Sequence, residues 1–276
     1  MRQGVLSLLL TLIGRLLLRS DRLSGRMQAM LSAFPFANER LIITSGNRQL
    51  SAVYVSAGAE TPAILICHGI GELVEYWGRV QALLREMGVS SLVFNYSGYG
   101  ASSGTFSTAH CEEDTMAAYA KLVAQGHPSI VLLGFSLGSG VGCAVASRID
   151  LNGLALCEGF STLREAGVAM GFPHWMARVA PNVWDTVGRV GELEIPVLVV
   201  HSDKDDLFPM PMANRMAEAC GSRGRLIVIN GLSHDAPYRD PSAIYWQPIA
   251  EWVKERSSEV GAQRLLVEGD QSALRG

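Results

Sequence analysis

A serine hydroxyl attacks a carbonyl carbon only when a nearby base takes its proton, and a neutral imidazole suits that task near neutral pH. The chain offers Ser136 within Gly134-Phe135-Ser136-Leu137-Gly138 and His234 within Gly231-Leu232-Ser233-His234-Asp235. Between them runs an acid-rich turn, Asp203-Lys204-Asp205-Asp206, whose carboxylates are placed to orient an imidazole. Serine, acid and histidine in that order predict acyl transfer through a covalent acyl intermediate.

Competing residues are removed by context. Of the six histidines, His68, His110 and His127 precede Ser136, His174 lies in a long insertion, and His201 ends the run that leads into the acidic turn. His234 alone follows that turn. The G-x-S-x-G pattern also occurs at Gly100-Ala101-Ser102-Ser103-Gly104. Ser136, however, sits between an apolar strand pattern and a helical one, the setting that makes such a turn sharp and exposes the hydroxyl. After Gly104 comes TFSTAH, which has no helical apolar period, so Ser102 belongs to a loop. Spacing does not separate Asp203, Asp205 and Asp206, and Glu158 at the end of another strand is an outside candidate for the acid. The developing oxyanion needs two N–H donors, and removing one such donor costs roughly 3 to 4 kcal/mol. Leu137, just after the serine, supplies one; the second is expected from the glycine-rich loop His68-Gly69-Ile70-Gly71-Glu72.

The elements that must carry these residues follow from periodicity. Strands are predicted at Leu41–Thr44, Leu50–Val55, Ala63–His68, Ser91–Tyr96, Ile130–Gly134, Gly153–Glu158, Pro196–His201 and Arg225–Ile229. Helices are predicted around Val74–Met87, Glu112–Gln125, Leu137–Arg148, Met210–Cys220 and Ala243–Arg256. The first two strands have no helix between them and should form a hairpin. The later alternation predicts an α/β fold with a mostly parallel eight-stranded sheet and helices on both faces. Residues 159–195 are too long for a simple crossover and are expected to form a small helical cap, in which Trp175 and Trp184 are read first as core or cap anchors and second as walls of an acyl pocket. The main domain is then 39–257, preceded by a segment 1–38 and followed by a loosely held tail 258–276.

The stretches ILICHGIGE, FNYSGYGASSG, LLGFSLGSG, VLVVHSDKDDLFP and GLSHD together resemble the alpha/beta-hydrolase fold family over about residues 40 to 256. Within it the chain is similar to a small-lidded branch of esterases, acyl-thioesterases and serine aminopeptidase-like enzymes. In that branch an aspartate stands four residues past a histidine and four before a proline, which maps onto His201, Asp205 and Pro209. The resemblance therefore favours Asp205 as the acid and implies Ile70, after the His-Gly pair, as the second oxyanion donor. It departs at Asn95, where the branch commonly has aspartate, and at Phe135, where a polar residue is frequent. The expected activity is cleavage of carboxylic esters with small to medium acyl groups. Thioester or aminopeptidase-like chemistry is the alternative, and a non-catalytic membrane-associated interaction protein is the rival of another class.

Composition narrows the partners. With 48% hydrophobic residues, 18% charged and a formal net charge of −3, the chain has no basic field to hold nucleic acid. Cys67, Cys111, Cys143, Cys157 and Cys220 are widely spaced in apolar runs and read as buried thiols of a reducing compartment. His110-Cys111-Glu112-Glu113-Asp114 points its neighbours in different directions and is not expected to bind metal; neither a metal nor a cofactor is expected. Residues 5–30 place Arg15, Arg19, Arg22 and Arg26 on one side of a helix, opposite Leu9, Leu12, Ile13, Leu16, Leu23 and Met27. The apolar run is well below the roughly 20 residues that span a bilayer. A helix lying on anionic lipid at the inner face of the membrane is the leading reading, in an otherwise cytoplasmic protein. A packed cap helix and a cleaved signal peptide are the alternatives.

Overall fold

Eight strands form one sheet in the order β1-β2-β4-β3-β5-β6-β7-β8. They are β1 Glu39–Ser45, β2 Arg48–Val55, β3 Ala63–Cys67, β4 Ser90–Phe94, β5 Ile130–Phe135, β6 Gly153–Cys157, β7 Val197–Ser202 and β8 Gly224–Ile229. The computed structural model describes residues 11–12, 39–179 and 181–273. Segment 1–38, with its basic amphipathic pattern, lies outside the described residues apart from residues 11–12.

As the missing helix predicts, β1 and β2 form an antiparallel hairpin, closed at Ser45↔Arg48 by a two-residue turn in which Gly46 takes φ +59°. β2 pairs antiparallel with β4, and every later pairing is parallel. Strands β3 to β7 are buried along their whole length, the state expected of continuous Val, Ile and Leu runs with helices on both faces. The outermost strands β1 and β8 mix exposed and buried positions, as sheet edges do.

The helices are α1 Gly78–Glu86, α2 Thr108–Val123, α3 Leu137–Val145, α4 Leu163–Ala169, α5 His174–Val179, α6 Thr186–Glu192, α7 Met210–Cys220, α8 Ala236–Arg239 and α9 Ala243–Ala273. Helix α2 begins four residues before the predicted Glu112, because the Ser107 hydroxyl accepts from the His110 N–H and caps it. The predicted helix at 74–87 divides into a 3₁₀ turn, Val74–Trp77, and α1. Backbone of the 258–276 tail is helical as far as Ala273, in keeping with a run of Ala, Leu, Gln, Glu and Arg without proline.

The insertion 159–195 contains α4, α5 and α6. Of its tryptophans, Trp184 is the anchor expected, and the acyl-pocket reading of the pair is corrected. Trp184 is fully buried against α3, where a Cβ at Gly140 would lie 2.9 Å from the Trp184 Cβ. Its indole N–H donates to Glu112 Oε1 at 3.3 Å. Trp175 is 67% exposed on α5. Neither belongs to the cleft described below: one large ring anchors the cap and the other faces outward. Among the described residues no helix is long and apolar enough to cross a membrane.

Candidate active site

The turn from β5 into α3 holds Ser136 at φ +52°, ψ −115°. A non-glycine residue in such a conformation costs on the order of 1 to 3 kcal/mol and persists only where its surroundings enforce it. Here the enforcement is packing. A Cβ at Gly134 would stand 2.3 Å from the Gly138 carbonyl oxygen, and one at Gly138 only 1.9 Å from that of Cys67. The two glycines let α3 start directly against the sheet, so the hydroxyl projects beyond the strand ends.

His234 and Asp205 reach the same point from two later loops. His234 Nε2 lies 2.9 Å from Ser136 Oγ, and Nδ1 lies 2.8 Å from Asp205 Oδ2. Asp205 Oδ1 accepts from the N–H groups of Leu207 and Phe208, each at 2.7 Å, which fixes the carboxylate. Burial works against its charge, but the hydrogen bond and charge of His234 outweigh this, so Asp205 titrates below its ordinary range. The neighbouring aspartates brace the histidine loop instead: Asp203 Oδ1 accepts from Gly231 N–H at 2.6 Å and Asp206 Oδ1 from His234 N–H at 3.0 Å. Phe208 and Phe135 pack on the imidazole, with ring centroids 5.1 and 5.6 Å away.

Of the two expected oxyanion donors, Leu137 directly follows the serine and Ile70 lines the same cleft. Leu137 opens α3, where the first N–H groups have no acceptor within the helix. The Gly69-Ile70 backbone runs alongside, since a Cβ at Gly69 would be 3.2 Å from that of Ser136. A residue that the motif reading left without a role holds this loop. Buried Glu72 accepts through Oε2 from Gly69 N–H and from the Trp77 indole, both at 3.0 Å. Burial pushes its pKa up to about 8 despite those two bonds. An acid three residues after Gly69, followed by a tryptophan five residues on, is the pattern that could have marked it.

Ser102 and His68 have other duties. Ser102 Oγ donates to the Asn95 carbonyl oxygen at 2.7 Å and accepts from Ser51 N–H at 2.9 Å. His68 Nδ1 donates to the Gly69 carbonyl oxygen at 2.8 Å, while burial lowers its pKa to about 4 and keeps it neutral. The acidic start of α2 disperses as expected: Glu113 and Asp114 pair with Arg48, Glu112 with Arg148, and His110 Nδ1 with the Thr105 carbonyl oxygen. Cys67, Cys111, Cys143, Cys157 and Cys220 are free and buried.

Ser136 and His234 open onto a cleft of about 330 Å³, with Ile70, Met170, Leu207 and Tyr238 forming its apolar wall. Asp206, Asp235 and Arg239 contribute polar atoms, Arg239 being ion-paired with Asp235. Met170 enters from the cap and Tyr238 from α8, two positions that no sequence pattern singled out.

A family profile described as alpha/beta hydrolase fold matches residues 62–183. Among solved structures, an esterase of Pyrococcus furiosus superposes with a TM-score of 0.67 at 17% identity, over 82% of this chain and 93% of that one. A proline iminopeptidase of Mycobacterium smegmatis gives 0.65 at 16% identity, over 80% and 99%. The chain has the alpha/beta-hydrolase fold. The profile's span carries the Gly69 loop and Ser136 of this alpha/beta hydrolase fold, whereas Asp205 and His234 lie beyond it. By sequence the chain is similar to an uncharacterized protein of Mycobacterium tuberculosis, 27% identical over 221 residues and 78% of each chain. It is also similar to an uncharacterized membrane protein of Saccharomyces cerevisiae, 26% identical over 227 residues and 78% of each.

Proposed function

We propose that the chain is a serine hydrolase that cleaves carboxylic esters with small to medium acyl groups. The observation that carries this reading is the unbroken line of hydrogen bonds from Ser136 Oγ through the His234 ring to Asp205, at 2.9 and 2.8 Å. His234 Nε2 takes the proton as Ser136 Oγ attacks the acyl carbon, and Asp205 stabilises the imidazolium that forms. The N–H groups of Ile70 and Leu137 receive the oxyanion. The imidazolium then returns its proton to the leaving alkoxide, and a water activated by the same ring hydrolyses the acyl-serine. No step needs a cofactor.

The cleft supports this choice of substrate class. At about 330 Å³ and with Ile70, Met170, Leu207 and Tyr238 on its wall, it suits a short or medium acyl chain. Thioesters share the acyl half and rank second. The test is labelling by a fluorophosphonate, with the adduct mapped by mass spectrometry. Label on Ser136 that disappears in Ser136→Ala is expected; label that persists in that variant overturns the reading.

A further inference from the structure

Behind Asp205 lies a buried acid that the reaction above does not use. Glu158 follows β6 with backbone φ +45°, and its side chain is fully buried. One of its carboxyl oxygens, one of Asp205's and one ring nitrogen of His234 all lie within 4.8 Å of one another. Two carboxylates that close, shielded from water, do not both keep a full charge.

The groups facing Glu158 leave one of the two acids protonated. Ser202 donates to it twice, from N–H at 3.1 Å and from the hydroxyl at 2.8 Å. On β7, His201 brings Nδ1 to 3.7 Å from Glu158 Oε2, but its Nε2 lies 2.8 Å from the Phe208 carbonyl oxygen and so carries the ring's proton. Burial lowers the His201 pKa, so this ring supplies no positive charge. Cys157 on β6 and Tyr245 on α9 are also near and stay neutral, their pKa values raised by burial. Among the described residues no lysine or arginine forms an ion pair with Glu158. Asp205, by contrast, has the imidazole and two N–H donors.

We infer that Glu158 is a positioning residue that holds a proton, shares it with Asp205, and keeps the buried pair at a single negative charge facing His234. Burial first, and then Asp205, push the Glu158 pKa up to about 8, in keeping with this division. Its catalytic consequence rests on the hydrolase reading above. Ionisation of Glu158 puts a second negative charge behind the imidazole, raises its proton affinity, and slows return of the proton to the leaving group.

Infrared difference spectra of the full chain, titrated from about pH 6 to about pH 10, test the proton directly. A protonated-carboxyl band that bleaches with a midpoint near pH 8 is expected, and part of it is missing in Glu158→Gln. The part that remains belongs to Glu72 and is missing in Glu72→Gln. In ester hydrolysis, Glu158→Gln keeps kcat within about threefold and loses the alkaline limb, because its amide donates to Asp205 at every pH. Glu158→Ala lowers kcat by about tenfold or more with KM nearly unchanged. Identical spectra for wild type and Glu158→Gln, or a Gln variant as slow as the Ala variant, overturn the inference. Should fluorophosphonate fail to label Ser136, the hydrolase reading falls while the spectra still decide where the proton sits; they also decide it if Glu158→Ala does not fold.

Discussion

Two stretches of this chain spell G-x-S-x-G, and they do opposite things with the serine. Ser102 lies in a loop after β4 and spends its hydroxyl on the Asn95 carbonyl and the Ser51 N–H, tying that loop to β2. Ser136 lies between β5 and α3 in a strained conformation, and its hydroxyl meets an imidazole instead. The glycines differ as well. Gly100 and Gly104 serve positive φ angles of +52° and +82° in a turn, whereas Gly134 and Gly138 make room for backbone packing. A serine becomes a candidate nucleophile when its backbone is forced to present it unsatisfied to another chain segment, not when glycines flank it.

The contrast can be broken experimentally, and the largest effect is at the elbow. Ser136→Ala should abolish ester hydrolysis, and His234→Ala should match it, each by about 10⁴-fold or more in kcat/KM while the fold by circular dichroism is kept. Ser102→Ala should retain fluorophosphonate labelling. Asp205→Asn comes next, with a loss of roughly 10³- to 10⁴-fold in kcat, because the imidazole then loses the partner that sets its tautomer. Gly138→Ala should give little folded protein in a thermal melt, since its Cβ would meet the Cys67 carbonyl oxygen at 1.9 Å. Ser102→Ala should cost only about 1 to 3 kcal/mol in chemical denaturation, the usual penalty for leaving buried partners unsatisfied.

A further effect concerns pH. Glu72 and Glu158 each have a folded-state pKa raised to about 8, above the ordinary carboxylate range. Between the two ranges the folded state binds more protons than the unfolded one, so stability falls as pH rises toward about 8 and then levels off. His68 has the opposite sense: its pKa is lowered to about 4, so stability rises with pH from there up to the ordinary imidazole range. Melting temperatures across this span should therefore pass through a maximum in mildly acidic buffer, and Glu72→Gln should flatten the alkaline decline.

The sheet is largely readable in the sequence. Runs such as Ala63-Ile64-Leu65-Ile66 and Val197-Leu198-Val199-Val200 have no polar face to alternate, so they fit only a strand covered on both sides. The break in strand-helix alternation at the start announced the hairpin. Less readable were features set by contacts between distant segments. Trp175 and Trp184 look alike in the sequence, yet one is exposed and the other sealed against Gly140. Met170 and Tyr238 carry no pattern that would place them in one cleft. Glu72 and Glu158 are ordinary acids until burial removes the water that would keep them charged.

Local physical chemistry settled what could be settled along the chain: strand and helix periods, the glycine-flanked turn, and the order of serine, acid and histidine. Those are properties of neighbouring residues, and they persist in the linear string. Choosing Asp205 from three adjacent aspartates on geometric grounds required the folded sheet, because only the path of the β7 and β8 loops determines which carboxylate reaches the imidazole and which two brace the loop. The same holds for the charge on the buried acids, since desolvation and the approach of like charges exist only once distant segments have packed together.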